Sequence, residues 1–209
     1  MLVRDILKRP VIAVSGQTTL EDAYRTMQQH GIRHLPVLEG ETLVGVITDR
    51  DLRLATSALA PSPLSPGRRV SEVMARDPRT ADPSDAIEDA ARTMRQRKIG
   101  CLPVVDDGRV VGILTGLDLL DALLRMTGVD KPSGRLEVRL RDRPGELARL
   151  TSFIGERGLN VHSILTHPDG AESVRAVLRV GSIETRLLAE DLRRSQFEVV
   201  WPPEKPWPR

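Results

Sequence analysis

A chain of 209 residues has room for one large domain or for two to three small ones, each of which would need a neighbour to bury enough surface. Its 31 basic and 29 acidic residues are interspersed, for a formal net charge of +2, and only five residues are aromatic, so a polyanion-binding surface is not indicated and stacking platforms for nucleic-acid bases are scarce. The single Cys101 excludes an intrachain disulfide, the N-terminal stretch has no sustained apolar segment or small-residue cleavage site, and no apolar run approaches the ~18 residues of a membrane span, so a cytoplasmic protein with no membrane partner is expected.

Sliding the sequence on itself by 67 positions aligns 3–52 with 70–119 without a gap, and 18 of the 50 pairs are identical, which marks an internal duplication. In chain order, Leu20, Ala23, Tyr24 and Met27 recur at helical spacing, and Ile87, Ala90, Ala91 and Met94 repeat the pattern. Two short apolar runs follow in each copy, Leu35–Leu38 and Leu43–Ile47, then Leu102–Val105 and Val110–Leu114, each pair reading as a strand hairpin. A further helix begins after Thr48 and after Thr115, so each unit reads as strand, helix, strand, strand, helix. The proline-rich stretch 61–69 cannot continue a helix and serves as a linker, giving expected units at 1–60 and 70–126.

A second break at 127–134 opens a different pattern over 135–201: an alternating strand, a helix with Leu147, Leu150 and Ile154 on one face, a hairpin around Pro168–Gly170, a second helix and a last strand. That order, βαββαβ, is a ferredoxin-like sandwich, and the tail 202–209 is too proline-rich for a ladder.

The residues "LPV…GVITDRDL" and "LPV…GILTGLDL" make Val3–Ala55 and Val70–Leu123 resemble tandem cystathionine-β-synthase (CBS) domains, and "DRPGELARL" followed by "GLNV" makes residues 136–201 resemble an ACT domain. Together they look like the acetoin utilization B-type family. The implied fold class is α+β, a CBS-domain pair of two βαββα repeats followed by a ferredoxin-like βαββαβ ACT-type domain.

Two readings of the repeated G-x-x-T-x-x-D motif stay open from spacing alone. In one, Gly45 and Gly112 let a flat ligand approach the strand backbone, Thr48 and Thr115 cap the next helix with a hydroxyl free for an anion, and Asp51 and Asp118 accept hydrogen bonds from a vicinal diol such as a ribose. In the other, the motif is only a helix cap with a first-turn acid. The resemblance implies the first: the Asp is the family's ribose ligand, the Thr a phosphate-side ligand, and Arg33 and His34 lie near the phosphates. The second copy replaces Arg33, His34 and Arg50 with Gly100, Cys101 and Leu117, so the first site is expected to suit an anionic nucleotide and the second a less charged ligand or none.

In the ACT-like part the resemblance implies an amino-acid site formed by Asp142, Gly145 and Asn160, usually across a dimer interface. The histidines show no metal-ligand pattern and no nucleophile motif is present, so catalytic and metal sites are expected to be absent. The expected protein is a non-catalytic regulator without a cofactor, binding AMP, ADP or ATP as a regulatory ligand. It is expected to form a homodimer and to act on a metabolic enzyme partner, with a link to acetoin or acetyl-CoA metabolism. The alternatives are a dimerising adaptor with degenerate sites, or an enzyme acting on a small acid.

Overall fold

The computed structural model describes residues 1–204 and divides into two compact units, Met1–Leu120 and the part from Asp121 onward. The end of the proline-rich tail, residues 205–209, lies outside the described residues. The first unit opens with a 3-10 turn, Val3–Asp5, followed by β1 (Val14–Ser15), α1 (Leu20–His30), β2 (His34–Glu39), β3 (Thr42–Thr48) and α2 (Asp49–Thr56). Its second half repeats the theme with a 3-10 turn, Val70–Glu72, then β4 (Ala75–Arg76), α3 (Ile87–Arg97), β5 (Cys101–Asp106), β6 (Arg109–Thr115) and α4 (Gly116–Thr127).

Local chemistry explains the boundaries. The Thr19 hydroxyl accepts the Asp22 N–H at 3.1 Å and starts α1, while Gly31, at φ 63°, ends it in the left-handed region that a Cβ disfavours. Leu20, Ala23 and Met27 are buried as their spacing predicts, whereas Tyr24, at the edge of that face, is 42% exposed. Helix α3 buries Ile87, Ala90 and Met94, and ends on Lys98 in the same left-handed conformation.

Strands β1-β2-β3-β4 form one sheet, β1 parallel to β2 and the rest antiparallel. The second repeat keeps the same order around the β5–β6 hairpin, with its outer positions reduced to single bridges, Ala81 to Val104 and Lys8 to Ile113. Two of these outer elements are exchanged. Residues that precede each repeat's own helix lie on the other repeat: β4 pairs with β3, and Lys8 with β6. The exchange carries apolar side chains with it. Val70 and Met74 are buried with Leu20, Met27, Leu35 and Ile47 of the first repeat, and Val3 is buried with Ala90, Met94, Leu102 and Leu114 of the second. The repeat pattern, which places Val3 and Val70 at the starts of their own copies, carries no mark of this exchange.

The second unit contains β7 (Gly134–Arg141), α5 (Glu146–Gly155), β8 (Val161–Pro168), β9 (Ser173–Val180), α6 (Arg186–Arg194) and β10 (Glu198–Trp201). The antiparallel sheet runs β10-β7-β9-β8, the expected ferredoxin-like order. Leu136, Val138 and Leu140 alternate inward with Ala176, Leu178 and Val180, and are covered by Leu150 and Ile154 of α5 and Leu188 and Leu192 of α6. The residues between them, Glu137, Arg139 and Arg175, join Asp169 in an ion-pair network on the opposite face of the sheet, with distances of 2.6–3.0 Å.

Candidate functional site

Strand β3 delivers Thr48 directly to the N-terminus of α2, and the turn closes as a reciprocal capping box. The Asp51 N–H donates to Thr48 Oγ1 at 3.2 Å, and Asp51 Oδ2 accepts both the Thr48 N–H at 3.0 Å and the Thr48 hydroxyl at 2.7 Å. The Thr48 hydroxyl is therefore not free for an anion, as the sequence reading had it. Its proton is committed to Asp51. What remains is Asp51 Oδ1, which has no hydrogen-bond or ion-pair partner among the described residues and belongs to a half-buried side chain. A carboxylate oxygen with its lone pairs open, in the first turn of a helix, is an acceptor for a hydroxyl.

Arg33 and His34 enter the same region at the head of β2, where His34 pairs in register with Thr48 and the Arg33 carbonyl accepts the Asp49 N–H at 3.0 Å. Burial holds the His34 pKa below 6.5, Arg33 acts in the same direction, and the carboxylates of Asp49 and Asp51 oppose it. The imidazole is thus neutral at pH 7. Arg33 remains exposed, and Arg50 is exposed on the first turn of α2 with no ion pair among the described residues.

His34 also explains a difference between the copies. Its Nε2 lies 2.6 Å from where a Cβ would stand on Gly100, so a side chain at the position that answers to Arg33 in the second copy would require the imidazole to move. The charge of Asp51 reaches the neighbouring Cys101, whose buried thiol is pushed up to about 12, first by burial and then by that carboxylate. Such a thiol is a poor nucleophile.

The two strand glycines make room for the exchanged segments. A Cβ on Gly45 would stand 2.6 Å from Met74 Sδ and 2.9 Å from the Ala75 carbonyl, and one on Gly112 would stand 2.2 Å from Leu7 Cδ1. The space where a Cβ would stand is filled by the exchanged segments.

In the second repeat Thr115 and Asp118 form the same box, with Asp118 Oδ2 accepting the Thr115 N–H at 2.8 Å and its hydroxyl at 2.6 Å. Here the other oxygen is occupied: Lys8 Nζ lies 3.5 Å from Asp118 Oδ1, and Asp118 is only 5% exposed. Lys8 was missed from sequence because it comes from the entering segment of the other repeat, far upstream of Asp118. The duplication aligns Lys8 with Ala75 but does not by itself report that pairing.

Asp142 and Gly145 lie around the start of α5, where Gly145 takes φ 91° and no side chain caps the helix. Asn160 precedes β8, and Val161 pairs with Val180 opposite Gly134, at the far end of β7. Eight residues of strand separate the two ends by about 23 Å. Within one chain the three residues do not converge. Among the described residues no group of three or more His, Cys, Asp or Glu gathers as metal ligands, and no helix is long and apolar enough to cross a membrane. A cavity of about 460 Å³ between α1 and α2, lined by Leu20, Tyr24, Leu52 and Thr56, contains none of the candidate residues.

Comparison with known proteins bears on the family and the fold. Residues 3–57 and 70–125 match the CBS domain model, and residues 134–195 match the ACT domain model. The first unit is similar to the CBS domain pair of protein MJ0100 solved in complex with 5′-methylthioadenosine and S-adenosyl-L-methionine, at 32% identity and a TM-score of 0.54 over 59% of this chain and 95% of that one. It is also similar to CBSX2 in complex with AMP, at 31% identity and a TM-score of 0.50 over 59% of this chain and 96% of that one. A Vibrio cholerae protein named for acetoin utilization matches at 30% identity and a TM-score of 0.54, covering 63% of this chain and 96% of its own.

Proposed function

Because the chain belongs to the CBS-domain family, with an ACT domain after its tandem pair, we propose that it is a non-catalytic sensor of an adenosine nucleotide. The observation that carries this reading is the open Oδ1 of Asp51, held in place by a capping box that consumes only the other oxygen. A ribose hydroxyl donates to it, and the exposed Arg33 and the N-terminus of α2 favour an anionic 5′ group. The adenosine compounds bound by MJ0100 and CBSX2 support that ligand class. Asp118 sits in the first turn of α4, the helix that runs on past Leu120 into the ACT-containing unit, so an event at this carboxylate has a covalent route onward.

In this reading the ACT domain is the output. Asp142 and Gly145 meet Asn160 only if a second copy supplies it, so amino-acid binding there and homodimerisation are one proposal, and the regulated partner is a metabolic enzyme, with acetoin use suggested by the Vibrio cholerae neighbour. A second reading, a dimerising adaptor without ligands, is favoured by one observation: both Thr–Asp pairs already satisfy each other as helix caps.

Thermal unfolding with AMP, ADP, ATP, S-adenosylmethionine and single amino acids separates the two. A nucleotide at ~100 times its Kd adds about 2.7 kcal/mol to the unit it binds, a rise on the order of 10 °C. The sensor reading expects that rise with an adenosine ligand and its reduction in Asp51→Asn, which keeps an oxygen for the cap. No rise with any nucleotide would favour the adaptor.

A further inference from the structure

The internal duplication supplies its own control for the second site. Strand β4 places Ala75 opposite Val46 beside the first Thr-x-x-Asp box, and the equivalent register places Lys8 opposite Ile113 beside the second. Lys8 is fixed there by its backbone, whose N–H donates to the Ile113 carbonyl at 3.0 Å and whose carbonyl accepts the Ile113 N–H at 3.4 Å, while Leu7 fills the space beside Gly112. Position 75 carries a methyl group and offers no cation, and Asp51 Oδ1 has no ion-pair partner among the described residues. An ammonium at position 8 closes Asp118 Oδ1 at 3.5 Å.

We infer that Lys8 is a built-in competitor for the second repeat's diol-accepting carboxylate, making that site discriminate against a neutral nucleoside. The inference rests on the adenosine reading above and concerns how the second of its two sites is regulated. Asp118 Oδ2 is committed to Thr115, so a ribose hydroxyl has only Oδ1 to approach, and it reaches that oxygen by displacing Lys8. The displaced side chain is 68% exposed against 5% for Asp118, so it is the lysine that swings into water. A 5′-phosphate can re-engage the released ammonium, whereas the uncharged 5′-hydroxyl of adenosine leaves it without a partner. The equivalents of Arg33 and Arg50 are Gly100 and Leu117, which leaves Lys8 as the cation on this carboxylate, contributed by the other repeat's entering segment.

The test is calorimetric titration with adenosine and with AMP in an Asp51→Asn chain, where binding reports the second repeat, with and without Lys8→Met. Methionine keeps the length of the stem and removes the charge. Losing an ion pair with one exposed partner is worth about two- to fivefold, so Lys8→Met is expected to tighten adenosine by that factor and AMP by less. Raising the salt concentration is expected to tighten adenosine in the chain that keeps Lys8, by screening the ion pair, and to have no such effect after Lys8→Met. Adenosine affinity unchanged or weakened by Lys8→Met overturns the inference. So does adenosine binding to the wild-type chain but to neither Asp51→Asn chain, with the sensor reading left standing. Binding of neither ligand to any of the chains, wild type included, overturns the sensor reading and this inference together.

Discussion

A first-turn carboxylate has two oxygens, and here one is spent on the helix cap while the fate of the other separates the two repeats: open at Asp51, paired with Lys8 at Asp118. His34 is the other residue whose state matters. Because burial lowers its folded pKa below the 6.5 of the unfolded chain, the unfolded state takes up the proton first as pH falls. The contribution of His34 to the first unit's stability is therefore fully present above pH 6.5 and is lost as pH drops through 6.5 toward the lowered folded value. Urea unfolding at pH 7 and pH 5 is expected to show that decline, and His34→Gln to reduce it; an equal decline in the variant would mean that other groups titrate. At this scale the sequence made Thr48, Asp51, Thr115 and Asp118 legible, because the box is local. It could not reveal that the neighbours of Gly45 and Gly112 come from the exchanged segments, nor that Lys8 faces Asp118.

At the scale of elements the exchange is the main departure from what periodicity predicts. Helices and hairpins followed from spacing, caps and turn residues, which act over a few positions. The entering segments carry no such signal, being three-residue turns and one- or two-residue bridges whose pairing is set by which apolar surface is left uncovered. Val3 and Val70 are both fully buried in the core of the repeat they cross to. Truncation of either to alanine is expected to cost about 1–3 kcal/mol, and the location of the damage is diagnostic. Hydrogen exchange in Val3→Ala should accelerate in β5 and β6, and in Val70→Ala in β2 and β3. Acceleration in the repeat that contains the mutated residue in sequence would contradict the exchanged packing.

For the whole molecule, the duplication and element order were enough to anticipate two like units and a ferredoxin-like one, and the resemblance of short motifs to known families added a CBS pair and an ACT domain. The amino-acid site was less legible. Asp142, Gly145 and Asn160 were grouped by resemblance, and the sheet register sets them at opposite ends of β7, a distance no linear motif reports. The central claim, an adenosine nucleotide held through Asp51, is tested most directly by calorimetric titration of AMP into the wild-type chain and Asp51→Asn. A hydrogen bond to a charged group is worth about 1.5–3 kcal/mol, so the account predicts that the first-repeat binding event weakens at least about tenfold in the variant while any event at the second repeat is kept. AMP bound equally by both chains would contradict it, as would the binding of no adenosine nucleotide by either.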